Sequence, residues 1–230
     1  MGGGYLHSSN GHTQLPNFGM NSATLSLSAQ FFTKPIDLNP SKKNMEFKAD
    51  RTKHYFVTAR FGYGWQEYGG TRGPVGGIKK GVYSYMFGGG IIFRQHIKVR
   101  TGFSYRLYQH YLDDIKETEF PKYIDNPKWN ASNIFFLLGT ELLIGHVGMD
   151  IEGGINLHKP FYEQFYQDYE KGNGDFWLKN TFPARMGLKY YLVNTNRKPI
   201  QNIFIGIHVN ANFGQADFAE VSFGYSYLLK

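Results

Sequence analysis

Apolar and polar residues alternate with a period of two through most of this chain, over runs longer than ordinary strands. Residues 55–65 put Tyr55, Val57, Ala59, Phe61, Tyr63 and Trp65 on one face and Thr58, Arg60, Gly62 and Gly64 on the other. Residues 97–107 set Ile97, Val99, Phe103, Tyr105 and Leu107 against Lys98, Arg100, Gly102, Ser104 and Arg106. Residues 147–157 and 220–229 repeat the pattern, with Asp150 and Glu152 among the polar set of the first and Glu220 in the second. Such alternation describes strands with one apolar and one polar face. They are expected near 3–9, 20–32, 54–66, 82–94, 96–109, 132–145, 146–158, 181–193, 202–213 and 217–229. Most exceed the usual five or six residues and match the roughly 9–11 tilted residues that cross a bilayer.

Alternation alone does not say which face points inward. The polar faces decide it, because Arg100, Asp150, Glu152 and Lys189 stand mid-strand among glycines, where a polar lumen lets them pair. The 20 Phe and 17 Tyr gather toward strand ends, as aromatic belts do. Connections near 95 and 145 are tight, whereas 67–81, 110–131 and 159–180 are long and polar. The expected fold is therefore all-β, an antiparallel transmembrane β-barrel of the outer-membrane kind. A water-soluble β-sandwich or lipid-binding barrel is the competing architecture, and purification without detergent would favour it.

Three stretches organise the chain: a strand-turn-strand unit over 1–32, a linker over 33–53, and the remaining barrel strands over 54–230, all within one structural unit. No secretory signal opens the sequence, since Met1 is followed by three glycines, so the chain reads as a fragment with further strands expected upstream. Cysteine is absent, which excludes disulfides and thiolate metal sites. The net charge of +7 is scattered through strands and turns with no basic helix, which argues against nucleic-acid binding. The Gly-rich run 69–77 lacks the spacing of a phosphate loop. Glu141, Asp150 and Glu152 are expected to pair with lumen Arg and Lys rather than hold a metal.

The densest chemistry lies near the start. His7 and Ser9 stand two residues apart, so on a strand they share a face with Cα atoms about 6.5 Å apart. That places an imidazole beside a hydroxyl, a nucleophile with its base. The elements His7-Ser8-Ser9-Asn10-Gly11 and Pro16-Asn17-Phe18-Gly19 resemble the signature of the PagL-type lipid A 3-O-deacylases, outer-membrane barrel esterases whose longer members are called acyloxyacyl hydrolases. The resemblance is close over roughly residues 5–32. It implies that Ser9 is the nucleophile, that His7 is the general base, and that position 21 carries the group orienting the histidine. The family has a Glu there; this chain has Asn21, which can hold an imidazole but supplies no charge. Asn10 and the backbone around Gly11 are the candidate oxyanion donors, with Asn17 in the same turn.

By this resemblance the chain is a serine carboxylic-ester hydrolase removing an acyl chain from lipid A in the outer membrane of a Gram-negative cell. No cofactor and no metal is required. Its partners would be lipopolysaccharide and outer-membrane lipids, with a homodimer left open. The alternative is a non-enzymatic barrel, porin-like or structural, with a degenerate site. The plain structural reading of Ser9, Asn10 and Asn17 is a polar turn.

Overall fold

The computed structural model describes residues 2–29, 52–70, 73, 76–170 and 174–229, with the backbone alone described at Tyr5, His7 and Asn21. The first two strands, β1 (Gly2–Ser8) and β2 (Met20–Ser26), pair only with each other. The next eight are β3 (Lys53–Glu67), β4 (Lys79–Phe93), β5 (Ile97–Tyr108), β6 (Ser132–Ile144), β7 (Val147–His158), β8 (Pro183–Tyr191), β9 (Gln201–Asn212) and β10 (Gln215–Leu228). Each pairs antiparallel with its neighbour in sequence, and β10 closes on β3 to complete a barrel of eight strands. The closing seam sets Phe223 opposite Phe61 and Gly224 opposite Arg60. Two features thus depart from the sequence reading. The strand over 3–9 and the described part of 20–32 do not enter the wall, and β10 closes directly on β3, while residues 30–32 and 33–51 of the expected strand and linker lie outside the described residues.

The two faces of every wall strand segregate as the alternation demands. Phe61, Phe87, Phe103, Leu138, Ile151, Met186, Ile207 and Phe223 stand exposed around the outside. Arg60, Arg100, Glu141, Asp150, Glu152, Arg185, Lys189 and Glu220 are buried within. An exposed apolar belt around a core of paired charges is stable only where the surroundings are apolar, so this is a membrane-spanning barrel. Among the described residues no helix is long and apolar enough to cross a membrane. The strands do the crossing.

Eight strands enclose an interior just wide enough for side chains to fill, and here ion pairs fill it. Glu152 accepts from Arg60 at 2.5 Å and from Arg100 at 2.6 Å, and lies 3.3 Å from Arg185. Asp150 meets Arg100 at 2.5 Å and His208 at 2.7 Å. Glu141 accepts from Arg100 and Lys189, each at 2.9 Å, and Glu220 from Arg185 at 2.8 Å. The acidic trio of the sequence is therefore engaged by Arg and Lys. Small residues make the room: a Cβ at Gly62 would sit 2.6 Å from the Glu220 carboxyl carbon.

At one end the connections are short, Arg94–His96 between β4 and β5 and Gly145–His146 between β6 and β7, with Gly145 at φ 62°. The opposite end carries three long connections beside the tight Phe213–Gly214 turn, and those between β5 and β6 and between β7 and β8 are helical where loops were expected. Helices α1 (Gln109–Thr118), α2 (Pro127–Asn130), α3 (Tyr162–Tyr169) and α4 (Phe176–Thr181) lie there. Tyr111, Leu112 and Ile115 of α1 pack with Tyr108, Tyr123, Phe161 and Phe218 into an aromatic plug over that mouth. Beneath it the Lys159 amine donates to the Lys179 carbonyl and to Asn212, both at 2.9 Å, and burial pushes its pKa down to about 7.

Candidate active site on the N-terminal hairpin

The β1–β2 ladder runs from Gly2 opposite Ser26 to Ser8 opposite Met20. Within it His7 lies directly across from Asn21. The position that resembles the general base and the position that would orient it are thus cross-strand neighbours, whose Cβ atoms in such a pair lie about 4.5–5.5 Å apart. Ser9 is the first residue beyond the ladder and is exposed. The alternation that would hold it on the face of His7 therefore ends one residue too early to do so.

The reason is Asn10. Its Oδ1 accepts from His12 N at 3.0 Å, its Nδ2 donates to the Gln14 carbonyl at 2.6 Å, and its own N–H donates to Asn17 Oδ1 at 3.3 Å. A side chain that bonds the backbone two residues on forms a turn in place of a ladder. Gly11 and His12 follow at positive φ, both 63°. Asn10 and Asn17 hold this turn together, and the Asn10 amide has its donor engaged. Gly11 N–H donates to Ser9 Oγ at 3.5 Å, so the expected oxyanion donor faces the hydroxyl itself.

The turn is anchored to the barrel at the long-connection end. Leu15 N donates to Glu67 Oε2 at 2.9 Å, and Glu67 N donates to the His12 carbonyl at 3.2 Å. His12 Nε2 lies 3.1 Å from the Gly69 carbonyl, and Leu15 is buried to 1 % exposure. A Cβ on Gly11 would lie 3.5 Å from Val209, on the outer surface of β9. The hairpin therefore sits against the rim, outside the wall, rather than forming part of the lipid-facing cylinder as the sequence reading had it. Leu6, Phe18, Met20, Leu25 and Leu27 stand exposed around it.

The anchors Glu67, His12 and Leu15 were not singled out from sequence. Each pairs with a residue more than fifty positions away, which no local pattern reports.

Comparison with protein-family models and with curated proteins gives no match. Among solved structures the chain is similar to a de novo designed transmembrane β-barrel, at 12% identity and a TM-score of 0.36, covering 76% of this chain and 95% of that one. It is similar to Neisserial surface protein A at 10% identity and a TM-score of 0.33, covering 75% and 96%. Ail, the attachment invasion locus protein of Yersinia pestis, follows at 8% identity and a TM-score of 0.22, covering 78% and 99%. At such scores the architecture rests on the strand pairing and the partition of side chains already described.

Proposed function

We propose that this chain is an outer-membrane barrel of a Gram-negative cell whose rim-mounted hairpin hydrolyses an ester-linked acyl chain of lipid A. What carries the reading is the cross-strand placement of His7 and Asn21 with exposed Ser9 at the open end of their ladder. The location supports it further. In outer-membrane barrels the long connections face outward, and Glu67 and Leu15 fix the hairpin at that end, with exposed Leu6 and Met20 beside it to receive acyl chains.

In this reaction Ser9 Oγ attacks the ester carbonyl and His7 takes its proton, then returns it to the departing sugar hydroxyl. The acyl group is left on Ser9, and water activated by His7 releases it as a fatty acid. Asn21 orients the imidazole without stabilising its positive form. The comparable acid-to-amide change in a serine protease lowers turnover by about 10⁴, so the reaction is slow.

A non-enzymatic barrel is the second reading. The observation favouring it is that Ser9 Oγ and Asn10 are both engaged inside the turn. Its porin-like form fits poorly with a lumen filled by ion pairs. Mass spectrometry of lipid A from cells producing the protein separates the readings. Loss of one acyl chain is expected with the native chain, none with Ser9→Ala, and a faster loss with Asn21→Glu. Unaltered lipid A with both the native chain and Asn21→Glu would overturn the enzyme reading.

A further inference from the structure

Among the described residues, Lys98 is a buried cation that borders a cavity and has no carboxylate within ion-pair distance. Lys98 lies directly across from Glu141 in the β5–β6 ladder. Glu141, however, is taken by Arg100 and Lys189 and by the Tyr191 hydroxyl at 2.6 Å. The Lys98 amine turns instead toward the mouth at the short-turn end. There it reaches Tyr191 Oη at 3.2 Å and Ser226 Oγ at 3.3 Å and lies 4.3 Å from the centre of the Phe56 ring. Its exposure is 2 %, and among the described residues no carboxylate approaches it within the 4.0 Å of an ion pair.

The amine borders a small cavity of about 40 Å³ at that mouth. His54 lines the same cleft, and its Nε2 is buried without a hydrogen-bond partner. Among the described residues the cleft's lining contains no Asp or Glu, while its remaining walls include the apolar Ile92, Leu143, Pro199 and Leu228. A buried ammonium is stable when paired with an anion that also satisfies its neighbours. An oxyanion seated there would accept from Lys98, from the Ser226 hydroxyl and from an Nε2-protonated His54, giving the buried ammonium a counter-charge and the unpartnered His54 nitrogen a partner.

We propose that the short-turn mouth of the barrel is a binding site for a phosphate-type oxyanion, held by Lys98 with His54 and Ser226. The site is at the opposite end from the hairpin and does not depend on the hydrolytic reading.

Calorimetric titration of the folded, detergent-solubilised protein with inorganic phosphate tests a free anion as the source. Co-purification from nanodiscs of phosphatidylglycerol against phosphatidylcholine tests a lipid headgroup. Binding in either arm is expected, and Lys98→Met should weaken it by at least about tenfold, the scale of one lost charge-assisted contact. Heat-dependent mobility on gels reports whether that variant has folded. His54→Phe, at the cleft's edge, is the second variant and should weaken binding to a smaller extent. Absence of binding in both arms overturns the site, as does native-strength binding by a folded Lys98→Met or by His54→Phe.

Discussion

Glu152 is shared by three lumen arginines, and replacing it by Gln isolates what the ion-pair network contributes. Its Oε1 accepts from Arg60 at 2.5 Å, from Arg100 at 2.6 Å and from Arg185 at 3.3 Å, and all four side chains are 1–2 % exposed. The amide keeps the shape but removes the charge, and it turns an N–H₂ toward a guanidinium wherever it is placed. Three buried cations then share one fewer anion. Breaking a buried pair by removing one partner costs about 3–5 kcal/mol, and the shared geometry puts Glu152→Gln in that range. Urea unfolding of the protein in lipid vesicles, followed by tryptophan fluorescence, measures the loss. The double variant Arg60→Met/Glu152→Met removes a cation together with the acid, and should lie nearer the native protein than Glu152→Met alone by about 1–3 kcal/mol. A Glu152→Gln loss below about 1 kcal/mol, or strict additivity in the double variant, would mean that water screens these charges. The lumen would then be a wet channel rather than a packed core.

Other consequences follow from the same geometry. Phe87→Arg, outward-facing in the middle of β4, is expected to destabilise the barrel by about 2–4 kcal/mol in the same unfolding assay. A neutral effect would argue that this face does not meet lipid. Leu15→Ala removes the buried anchor of the hairpin, at a cost to docking of about 2–5 kcal/mol. Amide hydrogen exchange across 10–15 should accelerate while the wall strands stay protected; equal acceleration in the wall would refute separate docking. His110 of α1 is pushed down to about 4, first by burial, against Tyr68 and the Gln66 carbonyl. Its neutral form is favoured in the folded cap, so the stability it contributes is complete above pH 6.5 and falls as pH drops from there toward 4. After allowance for solvent screening the loss is on the order of 2 kcal/mol. Proteolysis of the long connections should rise across that window, and His110→Phe should flatten the dependence.

The wall was legible because a period of two carries both strand and face: every inward residue from Thr58 to Arg60, Lys98 to Arg106, and Ser222 to Ser226 is where alternation puts it. The helices of the plug were not. In α1 the charges Asp113, Asp114, Lys116 and Glu117 dominate the composition and suggest a solvated loop. The signal lay in the spacing of Tyr111, Leu112 and Ile115, one helical stripe that buries against Phe161 and Phe218. At the hairpin, the spacing of His7 and Asn21 carried over into a cross-strand pair. The position of Ser9 did not follow from it, because Asn10 ends the ladder through side-chain bonds that strand parity ignores.

That β1 and β2 stay outside the wall has a physical cause that alternation alone conceals. An eight-stranded lumen is too narrow for water to fill, so its charges must neutralise one another. Every wall strand except β4 places an ionisable side chain in that network: Arg60, Arg100, Glu141, Glu152, Arg185, His208 and Glu220 represent the seven. β4 compensates by presenting Ser84, Met86 and Gly88 to the bulky guanidinium groups beside them. β1 and β2 are seven residues each and, His7 apart, hold no ionisable group except the Tyr5 phenol, and the face opposite His7 carries Gly4, Leu6, Ser22 and Thr24. Inserted into the wall they would widen the lumen without adding a charge to balance it, leaving the ion pairs further apart in a larger, wetter interior. Closing β10 directly on β3 keeps Glu220 within 4.0 Å of Arg60 across the seam. Backbone pairing and this ion pair thus join the two ends of the barrel sequence across one seam.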